Sequence, residues 1–166
     1  MLALAQYYAS RKDNSRTLIL CAFAGEELGL LGSNVLAGGF DSQVITCMIN
    51  LEMLGRYNGR RYKNTFFITG DHYSNVGQII RENLKGNVVK VIKEPSMEKN
   101  LFACYDNYPF ALKGIPAHTI MSSDDDDACY HSTCDTVERL DVENMATIVK
   151  AVSIGVETMV KGTDTP

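Results

Sequence analysis

Residues 17–33 have the sequence TLILCAFAGEELGLLGS, and this stretch decides the fold class. Its first part, residues 17–24, is a continuous apolar run after a polar turn, which is typical of a β-strand buried on both faces. The run ends at Gly25, and two adjacent acids, Glu26 and Glu27, follow it. Because a strand buried on both faces needs helices above and below it, the stretch predicts an α/β protein.

The segments that follow continue the alternation of helices and strands. Residues 26–37 are predicted to form a short helix that stops at Gly38-Gly39, and residues 44–51 a second buried strand, which together predict a parallel pair. We therefore expect a three-layer α/β/α fold with a mostly parallel mixed central sheet. Further along, periodicity predicts strands at 65–69, 88–92 and 117–121, and helices at 75–84, 108–113 and 141–160.

Length and composition favour one domain and exclude two classes of partner. With 166 residues, 45% of them hydrophobic, the chain is long enough to bury one α/β core, so we predict a single domain over residues 1–166. A net charge of −4 gives no basic surface for nucleic acid. The apolar runs are far shorter than the roughly 20 residues that span a bilayer, and the first residues lack the features of a signal peptide.

Polar residues directly after buried strands are candidates for a site, because ligands of open α/β sheets bind at the carboxyl ends of the strands. Such residues are Glu26 and Glu27, Glu52, and the acidic loop 122–127 that leads to His131. Adjacent carboxylates raise each other's pKa unless a cation neutralises them, so one acid can bind a metal while its neighbour acts as general base. A simpler interpretation is that the first two acids only stabilise a helix start.

Several segments, in order along the chain, resemble the zinc exopeptidase family that contains bacterial leucyl-type aminopeptidases, glutamate carboxypeptidase and the glutaminyl cyclases. Residues 18–33 are similar to its catalytic segment, and residues 48–56, MINLEMLGR, to its Asn-x-Asp-Met-x-Gly metal segment. Residues 105–116 resemble its Ser-Asp-His-x-Pro-Phe helix and the next strand, and residues 129–136, CYHSTCDT, its last metal-ligand segment. The resemblance covers nearly the whole chain and implies the fold and the metallopeptidase chemistry of that family.

The resemblance implies a role for each site residue. It makes Glu26 the general base, and Glu27 and His131 ligands of one zinc ion. Glu52 falls where the family usually has an aspartate that binds a second zinc. Tyr130 matches a tyrosine that hydrogen-bonds the oxyanion in some aminopeptidases, where a glutaminyl cyclase is expected to have Trp. The implied reaction is the release of N-terminal residues from a peptide or aminoacyl substrate through a zinc-activated water.

The complete site of the family holds two zinc ions, and part of its ligand set has no counterpart here. The family's first histidine ligand and its bridging aspartate lie upstream of the helix predicted at residues 1–10, so the chain corresponds to the carboxyl-terminal two-thirds of the family domain. Because a catalytic zinc needs three protein ligands and a water, we predict weak zinc binding and slow or absent turnover. Two alternatives stay open: a non-catalytic interaction module of the same fold, and a glutaminyl cyclase.

Cys129 and Cys134 bracket Tyr130 and His131, and a disulfide between them would close a short loop. Such a bond would fix the angle at which His131 is presented, with a contribution to stability of roughly 2 kcal/mol. Some secreted aminopeptidases of the resembled family have cysteines in the same place. The resemblance thus favours an oxidising compartment, periplasmic or secreted, for the parent protein.

The remaining polar groups receive simpler predictions. We expect His72 and His118 to have ordinary polar or packing roles, and the acidic run 124–127 to be a solvated loop that lacks the ligand spacing of a calcium loop. An uncovered sheet edge and the apolar face of the first helix predict a homodimer or aggregation.

Overall fold

The structure, a computed structural model, describes residues 1–57, 62–95 and 97–166. Within these residues a four-stranded mixed sheet forms the middle layer, with strand order β1-β4-β2-β3. β1 pairs with β4, and β2 with β3, in parallel, whereas β2 runs antiparallel to β4. The predicted mixed, mostly parallel sheet is therefore confirmed. The strands are β1 Met48–Glu52, β2 Thr65–Ile68, β3 Lys90–Val91 and β4 Ala117–Met121.

Helices cover both faces of this sheet, as the three-layer prediction requires. On one face Ile120 of β4 joins a buried cluster with residues of α1, α3 and α5. On the other face Ala117 packs with Ala37 of α2 and Phe110 of α4. The alternation follows from the period of two in a strand, which points successive side chains to opposite faces. The helices are α1 Leu2–Arg11, α2 Leu31–Gly39, α3 Val76–Asn83, α4 Tyr108–Ala111, α5 Val142–Gly155 and α6 Glu157–Val160.

The core is concentrated around β2 and β4. Phe66, Ile68 and Ile120 are almost completely buried in the larger cluster. Phe67 and Met121 lie on the opposite face, in a cluster separate from that of Ala117. Full burial of side chains of this size contributes about 1.5–3 kcal/mol each to folding. These strands thus form the rigid frame from which the loops of the site extend.

The strand predicted at residues 17–24 is not present: in the described part of the chain, these residues belong to no strand. A cavity of about 620 Å³ separates them from β1, so they do not reach a hydrogen-bonding neighbour. Ile19 and Leu20 remain 60% and 42% exposed. The apolar pattern indicated a segment suited to burial, but a strand also needs backbone hydrogen bonds to a neighbour. Among the described residues β1 pairs only with β4, and its other edge, which faces residues 17–24 across the cavity, carries no strand.

Two predicted helices have different bounds. α2 begins at Leu31 rather than at residue 26, because Gly29 and Leu30 have φ values of 103° and 59° and cannot continue a right-handed helix. The helix predicted at 141–160 is divided into α5 and α6 at Val156, directly after Gly155, a poor helix former. Among the helices of the described residues, none has the length and apolar character needed to cross a bilayer.

Candidate metal and catalytic site

The carboxyl ends of β1 and β4 lie side by side, and this edge of the sheet holds the candidate site. Glu52, the last residue of β1, is in register with Met121, the last residue of β4. Because the strands are parallel, the segments that follow both of them leave from the same edge. The loop after β1 and the loop that carries Tyr130 and His131 therefore begin next to each other.

The turn before α2 places the two adjacent acids. Gly25 has a φ of 70°, a conformation that is accessible to glycine at no steric cost, and its carbonyl accepts hydrogen bonds from the N–H groups of Leu28 and Leu31. A Cβ at Gly32 would lie 2.9 Å from the carbonyl oxygen of Ala24, so a glycine is needed there for the close approach. The turn leaves Glu26 half-buried and turns Glu27 outward to solvent.

Glu27 and His131 are brought into direct contact. The Oε1 atom of Glu27 lies 2.7 Å from the Nε2 atom of His131, with the two side chains 68% and 53% exposed. The ring of Tyr130 stacks on the imidazole at a centroid distance of 3.9 Å and an angle of 14°. His131 has a φ of 51°, which is uncommon for a residue other than glycine. A carboxylate oxygen and an imidazole nitrogen thus lie within hydrogen-bond distance of each other.

Glu26 lies in the acidic interior of this site. Its pKa is raised from 4.5 to about 7, chiefly by burial and then by the negative charges of Glu27, Glu52 and Asp106, while His131 acts in the opposite direction. A carboxyl group with a pKa near 7 exchanges its proton in the neutral range, as a general base must do.

Glu52 and Asp106 complete the acidic cluster from the side of the sheet. Burial raises the pKa of Glu52, Asp106 and Glu27 add to the shift, and the N–H of Met53, which donates to Glu52 at 3.2 Å, opposes it. Asp106 is 6% exposed, and within the described residues its Oδ1 atom has no hydrogen-bond partner. Both carboxylates are partly removed from water and lie near other acids, which is costly unless a proton or a cation compensates them.

The donor set of this site fits zinc in kind but not in number. Carboxylate and imidazole donors fit zinc in kind, and Glu27 and His131 form a ready pair. The set is incomplete in number, because among the described residues the one group of three potential ligands with atoms within 4.8 Å of one another is Asp124–Asp126. The charge of Glu27 is close enough to raise the pKa of Glu52. Among the described residues, however, Glu52 does not belong to a group of three potential ligands.

A lysine side chain of the protein forms ion pairs with the acidic run 124–127. The Nζ atom of Lys99 contacts one carboxylate oxygen each of Asp125 and Asp126, both at 2.6 Å. Asp125 and Asp126 are exposed, as expected for a solvated loop, but Asp124 is fully buried and the side chain of Asp127 is only 13% exposed. The expectation of a solvated loop is therefore correct only for the middle of the run.

The other two histidines lie away from this edge. His118 is 1% exposed, and its Nδ1 faces the carbonyl oxygen of Thr69 at 2.9 Å while its Nε2 faces the hydroxyl of Ser74 at 2.7 Å. The ring of His72 lies 4.1 Å from that of Tyr73, as measured between centroids. Among the described residues, these contacts do not place either imidazole beside Glu27 and His131.

Cys129 and Cys134 form a disulfide, with Cα atoms 5.3 Å apart. It closes the loop that carries Tyr130 and His131, as the sequence led us to expect. Just outside this loop, Arg56 forms ion pairs with Asp127, at 2.5 Å, and with Asp135, at 3.0 Å.

Two site residues were not assigned from the sequence, Asp106 and Arg56. Both lie inside segments that carry the family resemblance, residues 105–116 and 48–56, and this was the signal available for finding them. Their partners are contributed by distant segments, so the sequence pattern alone does not reveal what they contact.

Comparison with known proteins identifies the family. A model described as "Peptidase family M28" matches residues 1–154. A probable leucine aminopeptidase of Arthroderma benhamiae is 30% identical over 138 residues, which is 80% of this chain and 36% of the relative. A probable leucine aminopeptidase 1 of Trichophyton verrucosum is 26% identical over 135 residues, which is 78% of this chain and 36% of the relative. The chain therefore spans about a third of the length of the curated relatives that it matches.

Solved structures show the same fold. LapB from Legionella pneumophila superposes with a TM-score of 0.73 at 23% identity, over 96% of this chain and 44% of the other. BSAP, a zinc aminopeptidase from Bacillus subtilis, superposes with a TM-score of 0.67 at 20% identity, over 86% of this chain and 36% of the other. The family model covers nearly the whole chain, and the architecture agrees with it, so this protein belongs to peptidase family M28.

Proposed function

We propose that the chain carries the general base and part of the ligand set of a zinc-dependent aminopeptidase, which releases N-terminal residues from a peptide or aminoacyl substrate. Glu27 and His131 are ligands of one zinc ion, and Glu52 is a ligand of a second. Glu26 is the general base, and Tyr130 stabilises the oxyanion.

The observation that carries this proposal is the 2.7 Å contact between Glu27 and His131 next to a half-buried Glu26. An exposed pair of this kind adds little to stability, about 0–1 kcal/mol, so stability alone is a weak reason for it. The pair joins the turn after residues 17–24 to the disulfide loop and turns two zinc-type donors toward one point.

Each residue has a step that its environment supports. Glu26, with a pKa of about 7, can accept a proton from the attacking water at neutral pH and later donate it to the leaving amine. Burial raises the pKa of Tyr130, so its phenol stays protonated and can donate a hydrogen bond to the developing oxyanion. When bound, zinc would act as a Lewis acid and lower the pKa of a coordinated water.

Two observations favour this function over the alternatives. Tyr130 stacks on His131 where a glutaminyl cyclase is expected to have Trp, which supports the aminopeptidase. The acidic cluster of Glu26, Glu52 and Asp106 is an unfavourable arrangement without a cation, and a non-catalytic interaction module would have no use for it. The disulfide supports a periplasmic or secreted location of the parent protein.

The proposal is tested by zinc titration in a calorimeter. We expect weak binding, with a dissociation constant above the submicromolar range, because two ligands are fewer than the three of a catalytic zinc. His131→Ala should weaken that binding at least tenfold, and His72→Ala should not change it. Equal zinc affinity of wild type and His131→Ala would reject the ligand assignment, and tight binding of two ions would show that the site is more complete than proposed.

The reaction is tested separately with an aminoacyl p-nitroanilide and a glutaminyl peptide at saturating zinc. Release of p-nitroaniline that is slow and lost in Glu26→Gln is the expected result. Cyclisation of the glutaminyl peptide instead would favour the glutaminyl cyclase.

A further inference from the structure

We infer that Arg56 is a positioning residue for His131, which it holds in place through the two aspartates at the base of the disulfide loop. The inference rests on the proposed role of His131 as a zinc ligand, and it names the part of the chain that controls this ligand. Arg56 lies in the loop after β1, 75 positions from His131 by residue number, and it does not touch the histidine.

The contacts of Arg56 bracket the loop on both sides. Its Nε atom lies 2.5 Å from Oδ2 of Asp127. Its NH1 group lies 3.0 Å from Oδ1 of Asp135, an ion pair by distance in which NH1 makes no hydrogen bond within the described residues. These two aspartates lie just outside the disulfide between Cys129 and Cys134. The positive charge of one guanidinium group thus lies between the two ends of the segment that presents His131, close to a carboxylate at each end.

Hydrogen bonds connect Asp127 to the backbone of the loop. Its Oδ1 atom accepts the N–H of Cys129 at 2.9 Å, and its carbonyl accepts the N–H of Tyr130 at 2.9 Å. The side chains of Arg56 and Asp127 are only 16% and 13% exposed, so their pairing is shielded from water. Without the guanidinium, the carboxylate of Asp127 would be left buried and uncompensated, and the loop would have to move to hydrate it.

Arg56 is itself held firmly. Its carbonyl accepts the hydroxyl of Ser122 at 2.6 Å, directly after β4, and the neighbouring carbonyl of Gly55 accepts the N–H of Asp141 at 2.9 Å. The guanidinium therefore acts from a fixed point at the edge of the sheet. A planar group with several donors is suited to bridging two carboxylates, which a lysine ammonium does less well.

The conformation of His131 explains why such a constraint is needed. A φ of 51° in a residue other than glycine persists only where the surroundings impose it. The disulfide closes the loop but leaves its tilt relative to the sheet undetermined, and the Arg56 bracket fixes that tilt. Both constraints are required to keep the imidazole against Glu27.

The experiment compares Arg56→Gln, Arg56→Lys and Asp135→Asn with the wild type. Arg81→Gln is the matched control, because Arg81, on helix α3, forms an ion pair with Asp71 outside the site. In the metal-free protein, whose three histidines give a simple NMR spectrum, the nuclear Overhauser effect between the rings of Tyr130 and His131 reports the loop. Calorimetry then measures zinc affinity.

We expect Arg56→Gln to lose the ring-to-ring effect and to bind zinc roughly 10–100-fold more weakly, as is usual when outer-shell partners of a ligand are removed. Arg56→Lys should recover part of both signals, and Arg81→Gln should match the wild type. A lower melting temperature of Arg56→Gln with wild-type NMR contacts and zinc affinity would overturn the inference, since that is the signature of a merely structural ion pair.

Asp135→Asn carries the test if Arg56→Gln does not fold, because Asp135 is largely exposed and its loss removes one side of the bracket. It should weaken the ring-to-ring effect, and an unchanged effect would count against the inference. If the wild type binds no zinc, the proposed function fails, while the metal-free NMR comparison still decides the role of Arg56.

Discussion

The hydroxyl of Tyr8 donates a hydrogen bond to the carbonyl oxygen of Ser153 at 2.9 Å, which fastens α1 to α5. Leu4 and Tyr8 are buried at this contact. The first helix therefore has a cover for its apolar face within the same chain. The sequence predicted association through this helix face or through an uncovered sheet edge. With the helix face covered, the edge of the sheet beside β1 is the surface left for association.

Self-association is expected to involve the apolar residues that face this edge. Ile19 and Leu20 are exposed beside the cavity along β1, and contiguous apolar surface next to a strand edge favours pairing between molecules. Ile19→Lys should lower the mean mass seen by light scattering, and Val35→Lys, at an exposed position of α2, should not. A monodisperse wild-type monomer would contradict this prediction.

Glu26→Gln should stabilise the metal-free protein at alkaline pH. The pKa of Glu26 is about 7 in the folded protein against 4.5 for the unperturbed group, so the folded state holds this proton more tightly. Stability is therefore lost as pH rises from about 4.5 through 7. As pH rises across this window, the melting temperature of Glu26→Gln should increase relative to that of the wild type. Glu82→Gln, at an exposed position of α3, is the control and should show no such trend.

The disulfide is tested by counting thiols. Of five cysteines, three are free, so three should react in denaturant without reductant and five after reduction. Replacing both Cys129 and Cys134 by Ser should lower the free energy of unfolding by about 2 kcal/mol, the value for a short loop. Cys104→Ser, at an exposed free cysteine, should leave it nearly unchanged. Five reactive thiols without reductant would refute the bond.

Ile120→Ala should destabilise the protein by about 2–5 kcal/mol in urea unfolding, because it opens a cavity in the central strand. Ile120 is fully buried in the larger core cluster. Val35→Ala, at a largely exposed position, should change stability by no more than about 0.5 kcal/mol. Similar effects of both substitutions would show that Ile120 does not lie in the core.

Local patterns were sufficient for much of the fold. The strand predicted at 117–121 has the same bounds as β4, and α3 lies within the helix predicted at 75–84. The apolar run 17–24 was predicted wrongly, because hydrophobicity indicates that a segment suits burial but does not identify its neighbour. Strand formation depends on backbone pairing with a neighbour, and within the described residues the edge of β1 opposite β4 stays without one.

The site could be predicted only in part. The acids after strands were visible in the sequence, and the resemblance related Glu27 to His131 across 104 positions. The roles of these residues remain predictions. The ion pairs of Arg56 and the buried carboxylate of Asp106 could not be foreseen, since they arise from the approach of distant segments and leave no periodic signal.

The central place of β4 has a consequence for biosynthesis. β4 lies between β1 and β2, and its contact with β1 joins Asn50 to Thr119, 69 positions apart. Both earlier strands therefore leave the ribosome well before β4. At a translation rate of about 5–20 residues per second, they remain without this partner for seconds. Such long-range closure makes folding slow, and the edges of both strands stay without this partner until translation reaches β4.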